Sequence, residues 1–591
     1  MNNKCLLKYF CWLGFLCLHT LFTYGQRSIS DIKKSEHKKN IDRVTAVTKL
    51  QVLRIDSIFR KYDRKDCPGC AVAVIRNNNI IFQRGYGMAN LEHSIPIIPS
   101  TVFDIASVSK QFTAFAIALL VRRGKISLED DVRKYVPELY AFDKQITIKH
   151  LVYHTSGLRD YGALLMMTGW RMDHPVAQYD FLKIVSRQRS LNYSPGDKFM
   201  YSNTNYALLG LIIERVAGMT TAKFLKEEIF VPLGMMNTIL RDDPSIIVPH
   251  RASNYTPDSS GIFKINHVWG LTKVMGPSSV HSTIGDLAKW DRNFYLEGLG
   301  GIGIADLLYT SGNLNSGESS NYGFGLFTRV HKGLKMITHD GAGGGSFVLT
   351  RFPDQKFSVA VLCNRYYTSI NATMLAEKVA DIFLAEKYRD VHIVQPELTT
   401  SDEKAGQQEL KLYKGIFWME GSGNKITFAT QDGMLSTRYN NENWFPLTYL
   451  SKGKFFNKEE GLFYSFTNIN ADLASVQITV PGTKEVYNAN RYAEPVLDST
   501  HLNAYSGVFG SDELNIFWNV NLKDGKLQLT RENFEEKILV PTYKDAFDIS
   551  YTNETTTMRY LLNFLRDKEG NVNRILVSGG RLDGILFVKN N

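Results

Sequence analysis

The sequence predicts a mixed α+β domain followed by two antiparallel β modules, and three observations predict it. A strongly apolar helical run, Phe103 to Lys125, follows a strand–turn–strand pattern between Ala71 and Gly87. Two further strand-like segments, Lys335–Thr338 and Phe347–Phe352, flank a glycine-rich stretch. Beyond Tyr413 the chain alternates apolar and polar residues, with Asp-Gly turns that recur at a fixed offset. Apolar residues three and four apart mark a helix, and alternation marks a half-buried strand. A chain of 591 residues is also too long for one hydrophobic core.

Residues 1–25 read as a secretory signal peptide. Lys4 and Lys8 precede an apolar stretch, Tyr9 to Phe22, and Thr23-Tyr24-Gly25 then lead to Gln26, which places cleavage after Gly25. The alternative is a retained anchor, but the apolar stretch is short for a membrane span. Phe15 and Leu16 are bulky where a lipid-attachment site before Cys17 needs small residues. The expected location of the mature chain is therefore periplasmic or secreted. No later run is long and apolar enough to cross a bilayer.

The formal net charge of +10 is concentrated early, in Lys33, Lys34, Lys38, Lys39, Arg43, Arg60, Lys61, Arg64 and Lys65. Basic stretches touch nucleic acids or anionic surfaces, but export argues against a nucleic-acid partner. Residues 26–46 read as a solvated basic linker, and the next domain spans 47–390. Ile55, Ile58, Phe59 and Tyr62 then have helical spacing and predict a helix packed on the sheet that begins near Cys70.

Cys5, Cys11 and Cys17 lie in the leader, leaving Cys67, Cys70 and Cys363. In an exported protein the Cys67-Pro68-Gly69-Cys70 pair could oxidise or exchange thiols. Cys70 runs into the strand Ala71–Ile75, however, whereas a redox motif of this spacing needs a helix there. A structural or incidental role is the favoured reading. Cys363, after the apolar run Phe357–Leu362, reads as a buried thiol. Four zinc ligands are not apparent, and neither a metal nor a cofactor is expected.

Three short motifs carry chemistry. Ser107-Val108-Ser109-Lys110 opens the apolar helix, so the hydroxyl and the amine share a face. At a helix start, free N–H groups and the dipole favour negative charge at Ser107. The apolar run behind it would desolvate Lys110, and burial lowers a lysine pKa until a neutral amine can act as base. In Tyr201-Ser202-Asn203, residues two apart in an extended stretch face one cleft. A phenol beside an ammonium can have a lowered pKa and exchange protons, and an amide can hold a substrate amide. In His339-Asp340-Gly341-Ala342, glycine at a strand edge lets a substrate lie against the backbone. Taken singly, each has a plainer reading: a helix start, a capping loop, a flexible loop. His154, at a predicted helix end, reads as a cap or packing residue rather than a base.

Together and in this order, the three motifs resemble the class C β-lactamase and serine DD-peptidase superfamily, which the related S-x-x-K, S-D-N and K-T-G motifs also mark. Gly85-Tyr86-Gly87, His154-Thr155-Ser156-Gly157-Leu158, Pro232-Leu233-Gly234-Met235 and Ser282-Thr283-Ile284-Gly285-Asp286-Leu287 look like the same family. The resemblance covers roughly Val47 to Tyr388 and implies an antiparallel sheet flanked by helices, a helical lobe, and a site between them. It implies that Ser107 is the acylated nucleophile, that Lys110 and Tyr201 share acid–base duty, and that Asn203 binds the substrate amide. The N–H groups of Ser107 and Ala342 would form an oxyanion hole, each donor worth about 3–4 kcal/mol. His339 and Asp340 stand where most β-lactamases carry lysine and a neutral threonine, with Gly341 completing the motif. An imidazole titrating near pH 6.5 would pull only weakly on a substrate carboxylate. The expected function is therefore an exported serine hydrolase acting through an acyl-enzyme on D-amino-acid peptides, amides or esters, peptidoglycan fragments among them. The alternatives are a β-lactamase proper and a catalytically silent penicillin-recognising binder.

Residues 391–408 are polar and linker-like. Tyr413-Lys414-Gly415 then pairs with Tyr505-Ser506-Gly507, and Asp432-Gly433 with Asp524-Gly525, both 92 residues apart (505 − 413 and 524 − 432). These predict β modules at 409–495 and 496–591. They resemble the lipocalin-like barrels attached to some hydrolases of this superfamily. Covering or stabilising the first domain is the expected role, with ligand binding the alternative.

Overall fold

A computed structural model describes residues 47–171, 174–266, 272–366, 369–388, 405–419, 424–440, 443–469, 474–479, 486–492, 498–531, 536–552 and 557–590. The predicted leader, the basic linker and most of the 391–408 linker lie outside the described residues.

Strand composition explains the sheet at the centre of the first domain. Cys70–Arg76 and Phe357–Cys363 are apolar without alternation, as strands covered on both faces must be. They pair antiparallel in the middle of a six-stranded sheet. Its order is Phe327–His331, Leu334–Ala342, Ser346–Phe352, Phe357–Cys363, Cys70–Arg76, Asn79–Tyr86. Successive side chains point to opposite faces. Val72, Val74, Val359 and Val361 therefore meet the helices Lys49–Phe59 and Ala372–Leu384, through Ile55, Phe59, Leu375 and Val379. Ala71, Ala73, Ala360 and Leu362 belong instead to the core shared with the helical lobe. The turn after Cys70–Arg76 uses Asn77 and Asn78, both at positive φ (49° and 67°), which asparagine tolerates.

The same register corrects one expectation. Cys363 is not a free thiol: it lies directly opposite Cys70, with Cα atoms 4.1 Å apart, and the two sulfurs are bonded. Among the described residues Cys67 is the free, buried cysteine, so the Cys-Pro-Gly-Cys pair does not close on itself. A partner 293 residues away is fixed by strand pairing, which spacing along the chain cannot reveal.

In the helical lobe, Lys110 to Leu120 of the helix Lys110–Arg122 are buried without interruption, as expected for a helix enclosed on every side. Phe112 and Phe115 pack on Trp290 of Ile284–Leu296, and each buried aromatic contributes about 1.5–3 kcal/mol. Beneath the sheet, buried Arg351 donates to Asp291 at 2.7 Å, and Ser358 donates to the same carboxylate oxygen at 2.9 Å.

After the helix Gln407–Tyr413 come two nine-stranded antiparallel sheets, each curled nearly into a barrel and each with the same strand order. In each, consecutive short strands stand at the two edges: Phe445–Pro446 and Thr448–Ser451 in the first, Lys537–Ile538 and Val540–Tyr543 in the second. The repeated Asp-Gly turns have positive φ at both residues: 48° and 79° at Asp432-Gly433, 52° and 71° at Asp524-Gly525. That is the two-residue hairpin geometry for which Asp-Gly is favoured. The barrels differ in packing. The first has a core of its own, around Phe417, Phe428 and Phe466. The core of the second, around Trp518, Phe564 and Phe587, is continuous with that of the helical lobe.

Candidate active site

The nucleophile sits on a pinned turn. After the strand Phe103–Asp104, Ala106 takes a positive φ of 46°, an unusual conformation for a residue with a side chain. Its N–H donates to Asp104 Oδ1 at 3.0 Å, and Ser109 Oγ accepts from the Val280 N–H at 3.1 Å. Ser107 thus falls in a 3₁₀ turn, Ala106–Ser109, immediately before the α-helix rather than inside it as expected. Three residues per turn still stack Lys110 over Ser107.

Lys110 is fully buried. Its Nζ lies 3.0 Å from Ser107 Oγ, 3.0 Å from Asn203 Oδ1 and 2.9 Å from the Pro277 carbonyl. Burial, and then the positive charge of Arg581, push its pKa well below the ordinary lysine value, while Asp160 and Asp340 pull the other way. A neutral amine has two N–H bonds and one lone pair. Two of its contacts, Asn203 Oδ1 and the Pro277 carbonyl, can only accept, so the lone pair is left for the Ser107 hydroxyl.

Tyr201 is caged by aromatic rings, with His154 at 4.4 Å and Phe327 at 6.5 Å between centroids, and Lys110 Nζ lies 4.7 Å from its ring centre. The phenol oxygen is buried near Ser107 and makes no hydrogen bond of ordinary geometry among the described residues. Burial pushes its pKa up, and Ser107 and Arg581 offset only part of that. The expected lowering is therefore reversed. In this cage desolvation outweighs the neighbouring cation, and Tyr201 stays protonated.

Asn203 begins the helix Asn203–Ala217, and its N–H donates to Asp160 Oδ2 at 2.7 Å. Asp160 is itself the N-cap of Tyr161–Met167, accepting from the N–H groups of Gly162 and Ala163. His154, buried with φ of 57°, accepts at Nδ1 from the Ser202 N–H at 3.2 Å and faces the Asn205 amide nitrogen at 3.1 Å. It braces the Tyr201 loop from behind.

His339 departs from expectation in charge. Its Nδ1 lies 2.7 Å from the Asp340 carbonyl and its Nε2 lies 3.0 Å from the Tyr322 hydroxyl, so protein groups occupy both ring nitrogens. Burial is the main cause that pulls its pKa down to about 4, so the imidazole is neutral at physiological pH. Asp340 is half-buried and lines the cleft, and Ala342 ends the strand in the open. Gly341 presses on the nucleophile turn: a Cβ there would lie 2.4 Å from the Ile105 carbonyl oxygen and 3.2 Å from Ser107 N. Only hydrogen fits.

These groups share one cleft of about 740 Å³, lined by Ser107, Tyr201, Asn203, His339, Asp340 and Ala342. Part of its wall comes from the barrels: Asn424 from the first, and Arg559, Tyr560, Gly580 and Arg581 from the second. Among the described residues, no cluster of three or more His, Cys, Asp or Glu side chains could hold a metal ion.

The profile of the family described as Beta-lactamase matches residues 55–382. The chain belongs to the β-lactamase family. Over 327 residues it is 30% identical to "Penicillin-binding protein 4*" of Bacillus subtilis (strain 168), a match covering 53% of this chain and 71% of that protein. Over 301 residues it is 29% identical to a D-aminopeptidase of Gluconobacter oxydans (strain 621H), covering 50% of this chain and only 56% of the relative. In fold it is similar to the octameric penicillin-binding protein homologue from Pyrococcus abyssi, with a TM-score of 0.51, 22% identity, and coverage of 82% of this chain and 99% of that one. The family domain is a serine hydrolase domain. Around this β-lactamase-family site three residues escaped the sequence reading: Asp160, Tyr322 and Arg581. Asp160 carried a faint signal, an aspartate just before an apolar helical run. Tyr322 and Arg581 carried none.

Proposed function

We propose that this β-lactamase-family enzyme is an exported serine hydrolase that forms an acyl-enzyme on Ser107 and cleaves D-amino-acid peptides, amides or esters. The observation that carries the reading is the contact of a buried, desolvated Lys110 with Ser107 Oγ at 3.0 Å. In the acylation step Ser107 Oγ attacks the carbonyl carbon while its proton passes to the Lys110 lone pair. The N–H groups of Ser107 and Ala342 receive the oxyanion. When the carbonyl–leaving-group bond breaks, the Tyr201 phenol gives its proton to the leaving atom and is reprotonated from Lys110. Water then attacks the acyl-enzyme, with the same groups acting in reverse.

The substrate class draws support from the relatives named D-aminopeptidase and penicillin-binding protein, and export from the leader-like residues 1–25. Along the strand, a neutral His339 offers no charge to the carboxylate of a cephalosporin or penicillin, and Asp340 repels it. The test is intact-protein mass spectrometry after exposure to a panel of D-aminoacyl esters and a fluorescent penicillin. A mass increase equal to the acyl group, lost in Ser107→Ala together with turnover, is expected. Undiminished hydrolysis by Ser107→Ala would overturn the assignment.

A further inference from the structure

The second barrel delivers one side chain into the cleft by a dedicated device. The strands Val572–Gly579 and Leu582–Lys589 pair with Gly579 opposite Leu582, so Gly580 and Arg581 form a two-residue hairpin tip. Gly579 and Gly580 both have positive φ (154° and 60°), and a Cβ on Gly579 would lie 2.3 Å from the Arg559 carbonyl oxygen. Groups of the helical lobe hold the tip by its backbone. Asn192 donates to the Arg581 carbonyl at 3.1 Å and accepts from the Asp583 N–H at 2.8 Å. The Arg159 guanidinium, 1% exposed, donates to the Asp583 and Gly584 carbonyls and pairs with Glu513 at 3.2 Å.

So placed, Arg581 lies over the Tyr201 ring, with Cζ 4.8 Å from the centroid, and its Nη1 is 3.3 Å from Asp160 Oδ2. That contact uses one of five N–H donors, and 43% of the side chain stays open. Three other basic groups of the cleft do not compete: Lys110 and His339 are desolvated and committed to protein partners, and Arg559 pairs with Asp548 at 3.0 Å. Arg329 is also open on the cleft wall, but it stacks on Phe327, whereas Arg581 stacks on the proton donor Tyr201. Asp340, on the strand Leu334–Ala342, would turn an anion away from that strand. The atom that Tyr201 protonates belongs to the leaving group, so a charge just beyond that atom falls to Arg581.

We propose that Arg581 is a substrate-binding residue for leaving groups that bear a free carboxylate, and that the second barrel thereby completes the catalytic cleft. Planar bidentate pairing with carboxylate suits a guanidinium, whose charge does not titrate near neutrality. The inference rests on the acyl-enzyme reading above.

The experiment uses the full chain and two thiolesters, benzoylglycyl thioglycolate and the matching thioglycolamide, which differ only in carboxylate against carboxamide. Thiol release is followed colorimetrically, and the quantity read is the ratio of kcat/KM for acid over amide. The wild type is expected to favour the acid, with a ratio flat from pH 6 to 9. Arg581→Gln, which keeps length but not charge, should lower the ratio at least tenfold, mainly through KM. Arg581→Glu should lower it further, and Arg581→Lys, which keeps the charge but not the planar fork, should lower it less than Gln does. A ratio within twofold of wild type in both Gln and Glu variants would overturn the proposal. So would an equal fall in Gln and Lys, which would make Arg581 a docking residue. Ser107→Ala separates the two readings. If it still cleaves both thiolesters, the acyl-enzyme assignment fails; if it is dead while the ratio ignores Arg581, only the subsite fails.

Discussion

Replacing Gly341 with alanine adds one methyl group where strand and nucleophile turn meet. The new Cβ would lie 2.4 Å from the Ile105 carbonyl oxygen, 3.2 Å from the Ala106 Cβ and 3.2 Å from Ser107 N. Ordinary contact begins near 3.4 Å, so turn and strand must part by about 1 Å, and neither neighbour is a flexible side-chain tip. The parting lies between Ser107 and Ala342, the two proposed oxyanion donors. A misplacement of about 1 Å costs about 10²-fold in rate, equivalent to about 2.7 kcal/mol of barrier. The expected result is a fall of that size in the acylation rate, measured by single-turnover kinetics on a D-aminoacyl ester. Thermal melting should show a smaller loss of about 1–3 kcal/mol, typical of overpacking. A Gly341→Ala enzyme that acylates within threefold of wild type would refute the reasoning, because the strand would then not set the oxyanion geometry.

Lys110→Arg should lose at least about 10²-fold in kcat/KM, since a guanidinium stays protonated and cannot take the Ser107 proton; near-normal turnover would remove Lys110 as base. For the wild type, kcat/KM should fall as pH drops through the lowered Lys110 pKa and stay level up to the ordinary lysine range, whereas a limb only above pH 10 would contradict a neutral amine. His339, with its pKa held near 4, resists protonation in the fold, while the unfolded chain takes up that proton near 6.5. Its contribution to stability is thus present above about pH 6.5 and lost as the pH falls towards 4, so urea melts should show a fall between pH 6.5 and 4 that His339→Gln flattens. Arg351→Met strands the buried Asp291 carboxylate and should destabilise the first domain by about 3–5 kcal/mol; a change below 1 kcal/mol in urea unfolding would show that the pair is dispensable. Removal of residues 496–591 should give a poorly soluble chain, because it uncovers the lobe surface continuous with the core of the second barrel; a stable product of unchanged activity would show the barrel to be peripheral.

Local chemistry was legible in the sequence because it depends on neighbours along the chain. Helical spacing buried Lys110 beside Ser107, asparagines and Asp-Gly pairs marked their turns, and a 92-residue offset announced two modules with one strand order. Three ordered motifs were enough to bring Ser107, Lys110, Tyr201, Asn203, His339 and Asp340 to the same cleft. Tertiary structure decided what depends on surroundings rather than on order. A phenol beside a lysine could have gone either way, and desolvation of its buried hydroxyl sent the pKa of Tyr201 up. An imidazole could have titrated near neutrality, but a buried strand position with both nitrogens bonded left His339 neutral. Cys363 found Cys70 through strand register, and Arg581 reached the cleft because a barrel hairpin is clamped by Asn192 and Arg159. Desolvation and long-range contact are properties of a packed volume, and a one-dimensional pattern carries them only where the partners lie within a few residues of each other or where ordered motifs resemble a known family.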